Sequence, residues 1–194
     1  MSYYRFTMVM AFDARTADLK EIAKRIKAGE IFIYPTDTVY GIGCDALNEK
    51  AVERVYEAKG RDFKKPMSVA FSDIMQLKKY VSVDEKQLEV IKQKLPGAYT
   101  FIVKNKAIPK RVAAGLDTIG VRIPDHSRML ALIREANTPI VTTSANLAGG
   151  KPASSVHELA SEILARVDFV IDGGKCGSGK PSAILDLTTG EKLR

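Results

Sequence analysis

Tryptophan is absent from this chain, and cysteine and histidine occur only twice each. Cys44 and Cys176 lack Cys-x-x-Cys spacing, which leaves no basis for a disulfide framework or a thiolate zinc site and suits a reducing compartment. His126 and His157 form no metal-ligand pattern, so no metal held by the protein itself is expected. Aromatic residues make up 7% of the chain and build no stacking platform of the RNP type, which argues against a sequence-specific reader of single-stranded RNA. Nowhere do about eighteen apolar residues follow one another, and the opening Met1-Ser2-Tyr3-Tyr4-Arg5-Phe6 has no basic leader before a long apolar run. No membrane contact and a cytoplasmic location are therefore expected. Repeats, low-complexity tracts and linkers are also missing, so residues 1–194 are expected to form a single domain.

Apolar residues account for 45% of the chain, enough for a well-formed core. Thirty Lys and Arg stand against twenty-three acids, a formal charge of +7 that favours anionic partners such as nucleotides, pyrophosphate or RNA.

Leu19, Ile22, Ala23 and Ile26 recur at helical spacing after Thr16 and Asp18, either of which can cap, and Gly29 stops the run. Asn48 can cap a second helix with Ala51, Val52, Val55 and Tyr56 on its apolar face, closed by Lys59-Gly60-Arg61. Further helices are predicted at about Asp73 to Tyr80, Asp84 to Leu95, Ser127 to Ala136 and Ser155 to Ala165. Strands are predicted over Ile31–Tyr34, Met67–Phe71, Tyr99–Lys104, Ile119–Ile123, Ile140–Thr143, Val167–Ile171 and Ala183–Leu187. This is an α/β pattern. Two-helix and no-helix connections break the alternation, so the expected sheet is twisted and mixed, parallel and antiparallel, with helices on its faces.

Five polar segments interrupt the scaffold. Tyr34-Pro35-Thr36-Asp37-Thr38-Val39-Tyr40-Gly41-Ile42-Gly43-Cys44 breaks a strand at proline and continues with hydroxyls and a carboxylate, as either a hairpin connection or a site. Lys59-Gly60-Arg61-Asp62-Phe63-Lys64-Lys65-Pro66 is either a solvated basic loop or a holder of phosphate oxygens. Arg122 interrupts an apolar strand between Val121 and Ile123, and a charge there needs either a structural carboxylate or a ligand carboxylate opposite it.

Thr142-Thr143-Ser144-Ala145-Asn146 ends a strand in three hydroxyls and an amide, able to bind phosphate or sugar or simply to satisfy its own turn. Ser144 has no Gly-x-Ser-x-Gly elbow and reads as a binder rather than a nucleophile. Gly174-Lys175-Cys176-Gly177-Ser178-Gly179-Lys180-Pro181 nearly spells a P-loop. Its last position is proline, and a strand follows where a helix is required, so that reading is rejected.

In combination, Tyr-Pro-Thr-Asp-Thr-Val-Tyr-Gly, Lys59-x-Arg61, Pro96-Gly97-x-x-Thr100, Val121-Arg122-x-Pro124-Asp125-His126, Ser144-Ala145-Asn146 and Pro181-Ser182-x-Ile184-x-Asp186 resemble the YrdC/TsaC family of threonylcarbamoyl-adenylate synthases, from about Leu19 to Arg194. The resemblance implies a YrdC-like sheet around a concave basic cavity. It implies a nucleotidyltransferase that joins L-threonine, bicarbonate and ATP into threonylcarbamoyl-adenylate with release of pyrophosphate. A separate transferase complex then modifies the tRNA adenosine next to the anticodon. By position it implies threonine near Thr38, Arg122, Thr142 and Ser182, and ATP near Arg61, Lys65, Thr118, Ser144, Asn146 and Arg194. Lys59 and Arg61 take the electrostatic role in catalysis, with Mg²⁺ carried on the triphosphate.

The chain departs from the pattern at Ala70, where many relatives have histidine near the threonine, at Asp62 in place of a frequent proline, and at Pro152 in place of a hydroxyl toward ATP. It resembles the short, single-domain type. Two rival readings are a double-stranded RNA-binding or ribosome-maturation protein using the same basic cavity, with tRNA or double-stranded RNA as partner, and an acyl- or carbamoyl-phosphate-processing enzyme on the same fold.

Overall fold

The computed structural model describes residues 3–6 as backbone and residues 9–194 in full; Met1 and Ser2, read above for a leader, lie outside the described residues. In chain order the elements are β1 (Tyr3–Phe6), β2 (Val9–Asp13), α1 (Leu19–Lys27), β3 (Phe32–Tyr34), β4 (Gly41–Gly43), α2 (Glu49–Lys59), β5 (Ser68–Ala70), α3 (Ile74–Tyr80), β6 (Val81–Ser82), α4 (Glu85–Lys94), β7 (Tyr99–Asn105), β8 (Thr118–Arg122), α5 (Ser127–Ala136), β9 (Ile140–Ser144), α6 (Ser161–Leu164), β10 (Phe169–Asp172) and β11 (Ala183–Asp186).

The helices start where side chains can take up orphan N–H groups. Asp18 accepts from Lys20 N–H at the head of α1, Asn48 from Ala51 N–H in α2, and Asp84 forms a reciprocal capping box with Gln87 in α4. Gly60 ends α2 with φ +59°, a left-handed turn that directs the chain toward Arg61.

The strands form one mixed sheet in the order β1-β2-β10-β3-β4-β9-β5-β8-β7-β11, with β6 pairing β7. β2, β10 and β3 run parallel, as do β5 with β8 and β7 with β11; β3-β4-β9-β5 are antiparallel to one another in turn. Both faces of the central strands are buried, as alternation along β3 makes plain. Phe32 and Tyr34 join α1 and α5 in one core with Ile22, Ile26, Leu132 and Ile133, while Ile33 faces a second core with Val52, Val55 and Tyr56 of α2.

One predicted helix departs from expectation. The predicted helix Ser155–Ala165 is a 3-10 turn at Val156–Glu158, then extended backbone at Leu159 and Ala160, then the short α6. The Glu158 carboxylate turns back to accept from Ser154 N–H and Oγ–H, which closes the first turn instead of propagating it. Val156, Leu159 and Ile163 are nevertheless all buried. Strands β1, β2, β4 and β6 were not expected. β4 is held by partners on both sides, and a Cβ at Gly43 would collide with the Val141 carbonyl of β9, so only glycine allows that approach.

Candidate active site

Strand ends and loops from several parts of the chain enclose a cavity of about 290 Å³. The β3–β4 connection contributes Thr36, Thr38 and Tyr40, so the segment is at once a hairpin connection and a cavity wall. Arg61 and Pro66 come from the α2–β5 loop, Ser68 from the start of β5, Thr100 from β7, Arg122 from β8, and Thr142, Thr143, Ser144 and Asn146 from the end of β9 and the turn after it. Ser182, Ile184 and Arg194 close the last side. Three guanidinium groups and no Asp or Glu side chain appear among the lining residues.

Hydroxyls are chained around this space. Thr36 Oγ1 donates to the Val39 carbonyl (2.8 Å), accepts from Thr38 N–H (3.1 Å), and lies 2.9 Å from Thr38 Oγ1. Thr38 Oγ1 in turn accepts from Arg122 Nη1 at 3.3 Å. Across the cavity Thr100 Oγ1 and Ser182 Oγ are 2.8 Å apart, and Arg194 Nε donates to the Ser182 carbonyl at 2.9 Å. Gly120 makes room beneath them: a Cβ there would stand 2.6 Å from Ser68 Oγ. The chain beyond β11 turns back on the strand, with Ile184 N–H donating to the Arg194 carbonyl, and this return brings Arg194 to the cavity.

Arg122 is 6% exposed and its charge has a structural partner: Nη2 donates to Asp37 Oδ1 at 2.5 Å. Arg122 Nε, Asp37 Oδ2 and Asn146 Oδ1 are buried with no hydrogen-bond partner among the described residues. Among the described residues Arg61 is held by main-chain carbonyls, Nε to Lys65 (3.2 Å) and Nη2 to Pro66 (2.9 Å). Asn146 Nδ2 donates to the carbonyls of Leu147 and Gly150, which folds the loop after β9.

Of the residues singled out from sequence, the cavity brings together Thr38, Arg61, Arg122, Thr142, Ser144, Asn146, Ser182 and Arg194. Lys59, Lys65 and Thr118 are not among its lining residues. Lys59 is 2% exposed and lies behind the wall, where Nζ donates to the carbonyls of Ser144 and Asn146. Burial first, and then the charge of Arg61, lower its pKa to about 7. Lys65 is exposed on the basic loop, and Thr118 begins β8 opposite Lys104. Thr36, Tyr40, Thr100 and Thr143 lay within the segments and motifs read from sequence without an individual role, and Ser68 was not singled out. Among the described residues no group of three or more His, Cys, Asp or Glu could hold a metal ion, and no helix is long and apolar enough to cross a membrane.

Comparison with known proteins matches residues 24–194 to the Sua5/YciO/YrdC family model, described as telomere recombination. A protein of Methanocaldococcus jannaschii, provisionally named threonylcarbamoyl-AMP synthase, is 44% identical over 90% of this chain and 83% of its own length. The threonylcarbamoyl-AMP synthase of Bacillus subtilis is 39% identical over 86% of this chain, which spans only 49% of that protein. The crystal structure of Pyrococcus abyssi Sua5 complexed with L-threonine superposes with a TM-score of 0.84 at 34% identity, over 88% of this chain and 51% of that one. The chain thus spans about half the length of the last two.

Proposed function

Because the chain belongs to the Sua5/YciO/YrdC family, we propose that it joins L-threonine, bicarbonate and ATP into threonylcarbamoyl-adenylate, releasing pyrophosphate. The observation that carries this reading is the meeting of four hydroxyl residues, Thr38, Thr142, Ser144 and Ser182, with Arg61, Arg122 and Arg194 around one cavity.

The chemistry asks for alignment more than for a dedicated base. The threonine amine adds to bicarbonate with loss of water, giving a carbamate. A carbamate oxygen then attacks the α-phosphorus while the bond to the pyrophosphate oxygen breaks. Negative charge grows on the phosphoryl and leaving-group oxygens, where preorganised cations act most strongly. Arg61 and Arg194 take that role, with Ser144 and Asn146 positioning the nucleotide. Thr38, Arg122, Thr142 and Ser182 hold the amino acid, Arg122 through its carboxylate. Lys59 works from behind the wall by fixing the carbonyls of Ser144 and Asn146. Lys65 and Thr118 reach the nucleotide only where it extends past the cavity. Mg²⁺ arrives on the triphosphate as part of the substrate.

The product then passes to a transferase that loads the tRNA adenosine beside the anticodon, in the cytoplasm. The test is incubation with radiolabelled bicarbonate, ATP and single amino acids, followed by separation of labelled adenylate. Label incorporation and pyrophosphate release that both require threonine support the reading. RNA binding with a steep salt dependence and no ATP turnover would replace it with the RNA-binding alternative.

A further inference from the structure

The three guanidinium groups of the cavity are not equivalent. Arg122 alone has a carboxylate against it, Asp37 Oδ1 at 2.5 Å, in a pair whose side chains are 8% and 10% exposed. Arg61 is met by the carbonyls of Lys65 and Pro66, and Arg194 by the carbonyl of Ser182; neither forms an ion pair among the described residues. Arg122 is thus a neutralised arginine beside Thr38, whereas Arg61 and Arg194 face no carboxylate side chain among the described residues.

We propose that Asp37 is a specificity-determining residue that sorts the two anionic substrates. By cancelling the charge of Arg122 it makes that arginine a poor seat for a polyphosphate, while leaving the guanidinium able to hydrogen-bond the single carboxylate of an amino acid. The triphosphate is thereby directed to Arg61 and Arg194, and the two substrates bind together instead of competing for one arginine. Asp37 does this without touching either substrate: it is not among the cavity-lining residues, and its free Oδ2 is buried. A polyanion interacts with each protein charge far more strongly than a zwitterion does, so removal of one carboxylate charge near the site affects pyrophosphate first.

This inference rests on the proposed reading of the cavity, and calorimetric titration of the intact chain with inorganic pyrophosphate and with L-threonine, each alone and in the presence of the other, separates the two. The wild-type chain is expected to bind pyrophosphate equally well with or without saturating threonine. In Asp37→Asn, which keeps the shape of the side chain but loses its charge, pyrophosphate should bind about tenfold more tightly and threonine should now displace it. Asp37→Glu should restore independent binding, which a purely structural role for Asp37 would not require. Should Asp37→Asn fail to fold, Arg61→Gln decides: it should weaken pyrophosphate binding about tenfold and leave threonine affinity unchanged, and undiminished pyrophosphate binding would overturn the proposal. Variants that behave like a wild-type chain able to bind both ligands overturn this inference alone. A wild-type chain that binds neither overturns the functional reading together with it.

Discussion

Lys59 Nζ lies 2.8 Å from the carbonyl oxygen of Asn146, and the same ammonium also donates to the carbonyl of Ser144. A helix end is thereby tied to the end of β9, and a lysine 2% exposed is satisfied by main-chain oxygens instead of a carboxylate. Carbonyl dipoles compensate a buried charge only in part, and that is why burial dominates the drop of its pKa to about 7.

A pH-dependent stability follows from Lys59. The unfolded lysine keeps its proton up to about 10.5, whereas the folded one releases it near 7. Between those values the unfolded chain binds more protons, so stability rises with pH across that window, and the cost of burying the charge is complete below it. Lys59→Met removes this dependence. Urea unfolding at pH 7 and pH 9 should show wild type gaining about 2 kcal/mol relative to the variant, to order of magnitude. A difference that does not change with pH would mean that Lys59 stays charged in the folded chain.

Gly43→Ala tests the crossing of β4 and β9. The added methyl would meet the Val141 carbonyl and lie 3.0 Å from Ile140 Cγ2, both on a strand fixed by pairing on either side. Destabilisation of about 3 kcal/mol is expected from such overpacking. Gly60 has open space around it, so Gly60→Asn, which tolerates a left-handed φ of +59°, should cost well under about 1 kcal/mol. Thermal melts of the two variants should separate clearly, and equal melts would remove the steric account.

The helices were legible because their caps are local. Asp18, Asn48, Asp84 and Gly60 sit where the chain's own hydrogen bonds need them, and their neighbours repeat at helical spacing. β4 was not, because Gly41-Ile42-Gly43 has little strand preference of its own and exists through β3 and β9. In Ser155–Ala165 the apolar period was readable, but the Ser154–Glu158 bonds that break the helix were not. The cavity shows the same division. Short motifs revealed which hydroxyls end strands, whereas the choice between a structural and a ligand carboxylate for Arg122 depended on Asp37, eighty-five residues away. Only the sheet order brings those two together.

Tyr40→Phe tests the glycine-rich loop that resembled a P-loop. Tyr40 Oη donates to the Gly174 carbonyl at 2.8 Å and accepts from Gly173 N–H at 3.0 Å, while Ser178 and Gly179 donate from their N–H groups to the carbonyls of Asp37 and Thr38. Loss of the hydroxyl removes one anchor, at about 1 kcal/mol. Amide exchange over residues 173–180 should quicken several-fold while exchange in β3 and β10 stays unchanged. Uniform acceleration across the sheet would show that the hydroxyl supports the core and not the loop.

Arg122→Lys separates amino acid binding from nucleotide binding. Lysine keeps a positive charge for Asp37, so the buried pair is not broken outright, an event that would cost about 3–5 kcal/mol. It loses the planar fork that reaches Thr38 and Asp37 at once, and with it the geometry for a ligand carboxylate. Charge-assisted hydrogen bonds are worth about 1.5–3 kcal/mol, so the KM for threonine should rise by about 10- to 100-fold. The KM for ATP should stay within about twofold, because Arg61 and Arg194 are untouched. Steady-state pyrophosphate release with each substrate varied in turn gives both values. An equal rise in the two would mean that Arg122 serves both substrates and would remove the separation between them.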